Sequence, residues 1–114
     1  MLRNNLDSVR NSLVSYLQET LVLNVLLHPW HKANSLPHYL RQEYEFFEGF
    51  LLDAPCLFMI QSGEQPGPPE GLSKQMARVR DKWGGPTIYV ANGINARQRR
   101  RLVEQRIPFV VPES

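Results

Sequence analysis

The stretch that decides the fold is residues 87–111, TIYVANGINARQRRRLVEQRIPFVV. Two short runs rich in β-branched residues, 87–91 and 109–111, flank a segment with helical spacing. A strand, a helix and a second strand in so few residues predict one parallel βαβ unit. This unit fixes one half of the fold, and the rest of the chain must pack around it.

The helix in the middle of this unit has its own start signal. Asn95 and Gln98 stand three residues apart, which predicts an amide variant of the capping box. Leu102 and Val103 are expected to point inward. Five arginines fall within residues 97–106, so the helix carries a strong positive charge.

The remaining elements follow from hydrophobic spacing and turn residues. They are a helix at 5–19, a strand at 21–27, a helix from 36 until the pattern changes near 48, a strand at 48–52, a strand at 56–60 and a helix at 73–83. The second helix is expected to start after Ser35 and to bury Tyr39, Leu40, Tyr44 and Phe47. Residues 61–71, rich in glycine and proline, are expected to form an exposed loop.

Together these elements predict an α/β (α+β) domain with a mixed sheet, a small three-layer structure in which a β-hairpin precedes a βαβαβ segment. The chain of 114 residues is 42% apolar and 21% charged, which suits one globular domain spanning residues 1–114. The amphipathic helix within residues 1–19 is expected to need a covered face and is a candidate for self-association.

Location is constrained by what the sequence lacks. The longest apolar run, residues 21–27, is far shorter than the roughly 20 residues that span a bilayer, so no membrane association is expected. The N-terminus has no signal-peptide pattern, which makes the cytoplasm the expected compartment. Cys56 is the single cysteine, so no internal disulfide can form, and its apolar neighbours predict burial.

Charge is segregated along the chain. Residues 33–71 carry one arginine against six acidic residues, whereas residues 72–107 carry nine basic residues against two acidic ones. An anionic partner for the basic end would explain this asymmetry. Attraction between the two halves, within one fold or across a dimer, would explain it equally well.

No catalytic centre, metal site or cofactor is predicted. His28, His31 and His38 lie near a turn without a cysteine or paired acid at ligand spacing. Glu45 and Glu48 are expected to share a solvated helical surface rather than to act as an acid and base pair.

A hairpin followed by βαβ units is also similar to the nuclease fold of restriction enzymes, in which an acid on one strand and an acid-x-lysine on the next bind magnesium. Asp53 could be the first acid, but Glu64 is followed by Gln65 and Pro66, so proline replaces the lysine. Metal-dependent cleavage is therefore an unfavoured alternative.

The arginine helix is the main candidate for binding. The first turns of this helix carry four arginines, Arg97, Arg99, Arg100 and Arg101. The helix dipole disfavours each cation there by roughly a few tenths of a kcal/mol. A nucleic-acid phosphate or another anion would offset this cost. Solvent exposure, or ion pairing with carboxylates such as Glu45 and Glu48, is the favoured interpretation of these arginines.

Five segments resemble the N-terminal region of certain bacterial proteins with a MarR-type winged-helix regulator domain. The segments are LPHYLR (36–41), YEFFE (44–48), PCLFMI (55–60), PTIYV (86–90) and RLVEQRIPFVVP (101–112). Their order and spacing match over about residues 20–112. In that family a winged helix-turn-helix domain follows this region, and the present sequence ends at Ser114 before such a domain, so no DNA-reading residue is assigned by the resemblance.

The resemblance implies a non-catalytic sensing or oligomerising domain of a bacterial transcription-regulator-like protein, with a second copy of the chain as the expected partner. DNA would be contacted through the winged helix. The alternative from a different class is direct nucleic-acid binding by the arginine helix.

Overall fold

The computed structural model describes residues 10, 11, 13, 27–51, 53–62, 68–91 and 93–112. The strand predicted at 21–27, apart from Leu27, and most of the helix predicted at 5–19 lie outside the described residues. Arg10, Asn11 and Leu13 are described, and all three have helical backbone conformation. None of the helices in the described part of the chain is both long and apolar enough to cross a bilayer.

The architecture is an α+β fold with one mixed five-stranded sheet, as predicted. Its elements are β1 (His28–Pro29), a short 3-10 helix (His31–Ser35), α1 (His38–Glu43), β2 (Tyr44–Leu51), β3 (Ala54–Gln61), α2 (Leu72–Trp83), β4 (Thr87–Val90), α3 (Ala96–Glu104) and β5 (Phe109–Val110). The strands lie side by side in chain order. β2 is antiparallel to its neighbours β1 and β3, whereas β3, β4 and β5 run parallel to one another.

The βαβ prediction is confirmed. α3 connects the parallel strands β4 and β5, whose register pairs Tyr89 with Phe109 and Val90 with Val110. The hairpin prediction is also confirmed, because β2 and β3 pair along their whole length and Asp53 turns between them with a φ of 66°. The carboxyl ends of three parallel strands therefore meet at one edge of the sheet.

The boundary between α1 and β2 differs from the prediction. The helix ends at Glu43, so Tyr44 and Phe47 belong to β2, where they face opposite sides of the sheet. Tyr39, which was expected to be buried, is 48% exposed. Pairing of aromatic residues with β3 outweighs their helical spacing, because each pair buries side chains on both strands.

Three other side chains, those of Ser35, Gln61 and Val103, differ from the predictions made for them. Ser35 lies in the 3-10 helix, where its hydroxyl donates to the Lys32 carbonyl over 2.7 Å instead of capping α1. Gln61, assigned to the exposed loop, is buried at the end of β3. Val103 is 62% exposed, while its neighbour Leu102 is buried as predicted, since adjacent helical residues point about 100° apart.

The sheet buries both faces. One face, here called the helical face, packs against α1, α2, α3 and the 3-10 helix, and its strand residues include Tyr44, Phe46, Leu57, Met59 and Tyr89. The second face forms a separate cluster of Leu13, Leu27, Phe47, Cys56, Phe58, Ile60 and Val90. Burial on both sides explains why β3 is an almost continuous apolar run.

Candidate functional site: a basic surface on two helices

The capping box predicted at the start of α3 is present in both directions. The Gln98 backbone N–H donates to Asn95 Oδ1 over 2.8 Å, and the Asn95 N–H donates to Gln98 Oε1 over 2.9 Å. No acidic residue occupies the first turn of α3. The helix thus begins with neutral amides, and no acidic side chain in its first turn offsets the positive end of its dipole.

The arginines of α3 do not all point the same way. Arg97, Arg100 and Arg101 are exposed. Arg99 is exposed too, but its guanidinium lies 5.8 Å from the centre of the Phe109 ring, on the side of the helix near β5. Arg99 therefore forms a cation–π contact with the edge of the sheet and stands apart from the other three.

The three exposed arginines Arg97, Arg100 and Arg101 have no acidic partner in the part of the chain that the structure describes. Among the residues that the structure describes, no carboxylate pairs with Arg97, Arg100 or Arg101, although Glu104 follows them on the same helix. The ion-pair interpretation left open by the sequence is therefore not supported for the described part of the fold. Their charge is presented to solvent.

A groove of about 370 Å³ separates α3 from the start of α2. Its polar and charged lining residues are Glu70, Ser73, Lys74, Gln98, Arg101 and Gln105. Lys74 and Arg101, from different helices, thus border one depression. Glu70 is the described acidic residue from the middle of the chain that lines this groove.

The exposed side of α2 continues the positive charge. Lys74, Arg78 and Lys82 are exposed and spaced four residues apart, so they form one row along the helix. The spacing was visible in the sequence, but the sequence prediction considered only the apolar face of this helix. We call Lys74, Arg78 and Lys82 the α2 row, and Arg97, Arg100 and Arg101 the α3 patch.

The predicted absence of a histidine metal site rested on spacing, and the structure places the three histidines on the surface. His28, His31 and His38 are all exposed. Within the described ranges, no group of three His, Cys, Asp or Glu side chains is arranged to hold a metal ion.

Glu45 and Glu48 lie on β2 and face opposite sides of the sheet, so the expectation of a shared helical surface is wrong.

Two acids, Asp53 and Glu64, were considered for a nuclease centre. Asp53 is exposed in the hairpin turn, and Glu64 lies outside the described residues. At the other end of the hairpin, the helical face presents Tyr44 opposite Gln61 and Phe46 opposite Met59. None of these four positions supplies a carboxylate or an ammonium group.

A buried network of tyrosines and glutamines occupies that end of the hairpin instead. The Tyr44 hydroxyl donates to Gln75 Oε1 of α2, the Tyr89 hydroxyl donates to Gln61 Oε1, and the two rings meet edge to face with centres 6.5 Å apart. Burial raises the pKa of both tyrosines well above the ordinary value, and the nearby Glu43 carboxylate raises them further. These phenols remain neutral donors, and the sequence prediction missed them.

Cys56 lies on the second face of the sheet and is buried, as predicted. Its thiol donates weakly to the Ala54 carbonyl, with sulfur and oxygen 3.6 Å apart. Burial raises the pKa of the thiol, so the reactive thiolate is disfavoured.

Comparison with family models, with curated proteins and with solved structures finds no match to this chain. Function must therefore be argued from the site. The basic surface of α2 and α3 is the feature with the most exposed and uncompensated chemistry.

Proposed function

We propose that this domain binds the phosphate backbone of nucleic acid through the α3 patch and does so without catalysis. One feature carries this proposal: Arg97, Arg100 and Arg101 are exposed on one helix, and no carboxylate of a described residue pairs with them. Arginines in this state attract phosphates, and the release of condensed counterions supplies the affinity. Such contacts position a domain on nucleic acid without reading base sequence.

The groove next to the patch supports the same function. Arg101 borders it from α3 and Lys74 borders it from α2, so cations from two elements face one depression. Gln98 and Gln105 add amide groups that can donate to phosphate oxygens. A positive groove of this kind is suited to a backbone phosphate.

The residue types at the open end of the β2–β3 hairpin support the non-catalytic part of the proposal. Tyr44, Phe46, Met59 and Gln61 occupy the positions where the two hairpin strands meet on the helical face. A distant likeness to the restriction-endonuclease fold is part of the proposal, and the hairpin followed by parallel strands supports it. In this interpretation the nucleic-acid affinity of such a fold is retained while its metal chemistry is lost.

Binding to a short labelled duplex, followed by fluorescence anisotropy in low salt and then in rising salt, tests the proposal. The affinity is expected to fall steeply with salt, and each lost phosphate contact should reduce the salt slope by about 1. Substituting Arg97→Gln, Arg100→Gln and Arg101→Gln together should abolish measurable binding. The charge-matched control combines Arg41→Gln, Arg80→Gln and Arg106→Gln, three exposed positions outside the α3 patch, and it should bind like the unmodified chain.

Equal binding by the two triple variants would show that net charge alone, and not the α3 patch, attracts nucleic acid. Absence of binding by the unmodified chain in low salt would contradict the proposal outright. Incubation of supercoiled plasmid with magnesium or manganese tests the non-catalytic part, and appearance of nicked or linear DNA would contradict it.

A second candidate is the sensing or oligomerising domain of a cytoplasmic transcription-regulator-like protein with a MarR-type winged helix. Phe50 at the hairpin and Val103 on α3 are 64% and 62% exposed, and a second copy of the chain could cover either side chain. Light scattering after size-exclusion chromatography would give the mass in solution. A monomer at every concentration would reject this candidate.

A further inference from the structure

Two tryptophans meet at the C-terminal end of α2. Trp30 follows β1, Trp83 ends α2, and their rings are perpendicular with centres 5.8 Å apart. They line a pocket of about 310 Å³, here called the tryptophan pocket, whose other lining residues are His31, Lys32, Glu48 and Lys82. Trp30 is buried and Trp83 is partly exposed, so Trp83 offers ring surface to solvent.

The indole of Trp83 is not held by a hydrogen bond. Its Nε1–H is buried without an acceptor in the described structure, and it lies beneath Gly85, where a Cβ would come within 3.2 Å of the nitrogen. Burying an unpaired donor is unfavourable, and a phenylalanine would avoid that penalty. Trp83 also packs against the core of the helical face, and the partly exposed remainder of its ring is available to a ligand.

The surroundings of this ring are cationic. Lys32 and Lys82 border the tryptophan pocket against the single carboxylate of Glu48. An aromatic surface flanked by two ammonium groups suits a ligand that combines a flat ring with negative charge. A nucleotide unit has this combination, with its base and its phosphate.

The α2 row connects this pocket with the groove beside the α3 patch. Lys74 borders the groove, Lys82 borders the tryptophan pocket, and Arg78 lies between them on the same side of the helix. At 1.5 Å per residue the row spans about 12 Å. Positive charge thus leads from the groove to the aromatic ring, and the exposed Asp81, three residues after Arg78, adds one acidic group on this side of the helix.

We infer that a single strand of nucleic acid lies along α2, with its phosphates on the α2 row and one unpaired base stacked on Trp83. The inference rests on the proposed nucleic-acid function and adds a preference for single strands. Stacking requires a base that is free of its partner, whereas phosphate contacts accept duplex and single strand alike.

Intrinsic fluorescence reports on this pocket directly, because Trp30 and Trp83 are the two tryptophans of the sequence. Titration with a short oligothymidylate is expected to quench the tryptophan emission, and titration with a duplex of equal length is expected to leave it unchanged. Thymidine monophosphate provides the third arm of the experiment. If thymidine monophosphate quenched the emission with the same affinity as the oligothymidylate, the proposed path of the strand along α2 would be overturned.

Variants then separate stacking from charge. Trp83→Leu should weaken binding of labelled oligothymidylate about tenfold and leave duplex binding unchanged, while Trp83→Phe should retain most of the affinity. Lys82→Gln should weaken single-strand binding, and Arg80→Gln, a matched change on the same helix outside the row, should not. Lys82 and Arg80 are both exposed, so these two variants test the inference even if Trp83→Leu fails to fold.

Failure of this inference can be told apart from failure of the proposed function. If Trp83→Leu and Lys82→Gln bind oligothymidylate like the unmodified chain and no quenching occurs, the single-strand path is overturned. Duplex binding that still depends on Arg97, Arg100 and Arg101 would then leave the proposed function intact. If neither duplex nor single strand binds in low salt, both are rejected.

Discussion

Tyr44 and Tyr89 show how single residues decide the character of the hairpin end. Both phenols are buried, and the hydroxyl of each donates a hydrogen bond to a glutamine side chain. Burial is the main cause of their raised pKa values, with Glu43 nearby adding to it. A deprotonated phenol would need to be desolvated there, so the fold requires both groups to be neutral.

Stability should therefore fall at high pH. The folded chain keeps two protons that the unfolded chain releases above about pH 10, so the free energy of unfolding decreases as the pH rises past that value. Each tyrosine contributes a slope of about 1.4 kcal/mol per pH unit. Urea unfolding followed by circular dichroism at a series of pH values measures the slope.

The control uses a third tyrosine. In the variant with Tyr44→Phe and Tyr89→Phe the steep decline should be reduced relative to the unmodified chain, whereas Tyr39→Phe, which changes an exposed ring, should leave it in place. An identical slope in the double variant and the unmodified chain would contradict the assignment.

Glycine positions show which local signals in the sequence are dependable. Gly84 and Gly85 indicate a helix end, and Gly84 indeed follows Trp83 with a φ of 83°, its N–H donating to the Arg80 carbonyl over 2.7 Å. This geometry is the left-handed cap that glycine adopts without a steric penalty. Gly71, at the other end of α2, has an ordinary φ of −77°.

At the scale of the element, the two ends of α2 should respond oppositely to alanine. Gly84→Ala is expected to destabilise the domain by about 1 kcal/mol, because alanine disfavours positive φ. Gly71→Ala is expected to be neutral or stabilising by up to about 1 kcal/mol, since its Cβ meets no atom of the described structure within 4 Å. Chemical denaturation of the two variants measures both effects, and equal losses would refute the distinction.

The start of α3 offers a second test at this scale. Asn95→Ala removes the acceptor of the Gln98 N–H and should destabilise the domain by about 1 kcal/mol. Asn95→Asp keeps an acceptor and adds a negative charge at the positive end of the helix, so it should be tolerated. Stability that does not change on loss of the amide would show that tertiary contacts alone hold α3.

Elements with strong local signals were predictable, and those decided by pairing were not. The capping box, the glycine stop and the continuous apolar run of β3 each act within a few residues, and all three predictions are confirmed. The end of α1 depends on β3 pairing with Tyr44 and Phe46, which helical periodicity cannot reveal. The same limit explains why Gln61 was assigned to a loop.

At the scale of the whole molecule, the candidate site arises from topology. The arginines of α3 were visible as a sequence cluster, but Lys74 joins Arg101 only because α2 and α3 pack side by side on the helical face. Trp30 and Trp83 come from distant parts of the chain and meet only in the fold. Sequence patterns could therefore name the basic helix but not the surface to which it belongs.

The second face of the sheet depends on the N-terminal segment. Leu13 is fully buried in the cluster with Phe58 and Ile60, and the Arg10 guanidinium lies 4.9 Å from the centre of the Phe47 ring. Arg10 also donates to the Leu27 carbonyl over 3.4 Å. These contacts make Arg10 and Leu13 part of the layer that covers the second face, and the apolar side chain of Leu13 is buried within the chain.

Leu13→Ala should therefore destabilise the whole domain by about 2 to 5 kcal/mol, the usual range for removing a fully buried leucine side chain. Asn11→Ala, which changes an exposed residue two positions away, should alter stability by less than about 0.5 kcal/mol. Urea denaturation measured by far-ultraviolet circular dichroism and by tryptophan emission should give one coincident transition in each variant. If Leu13→Ala were as stable as Asn11→Ala, the N-terminal segment would not be part of the core, and its apolar side would be available for self-association.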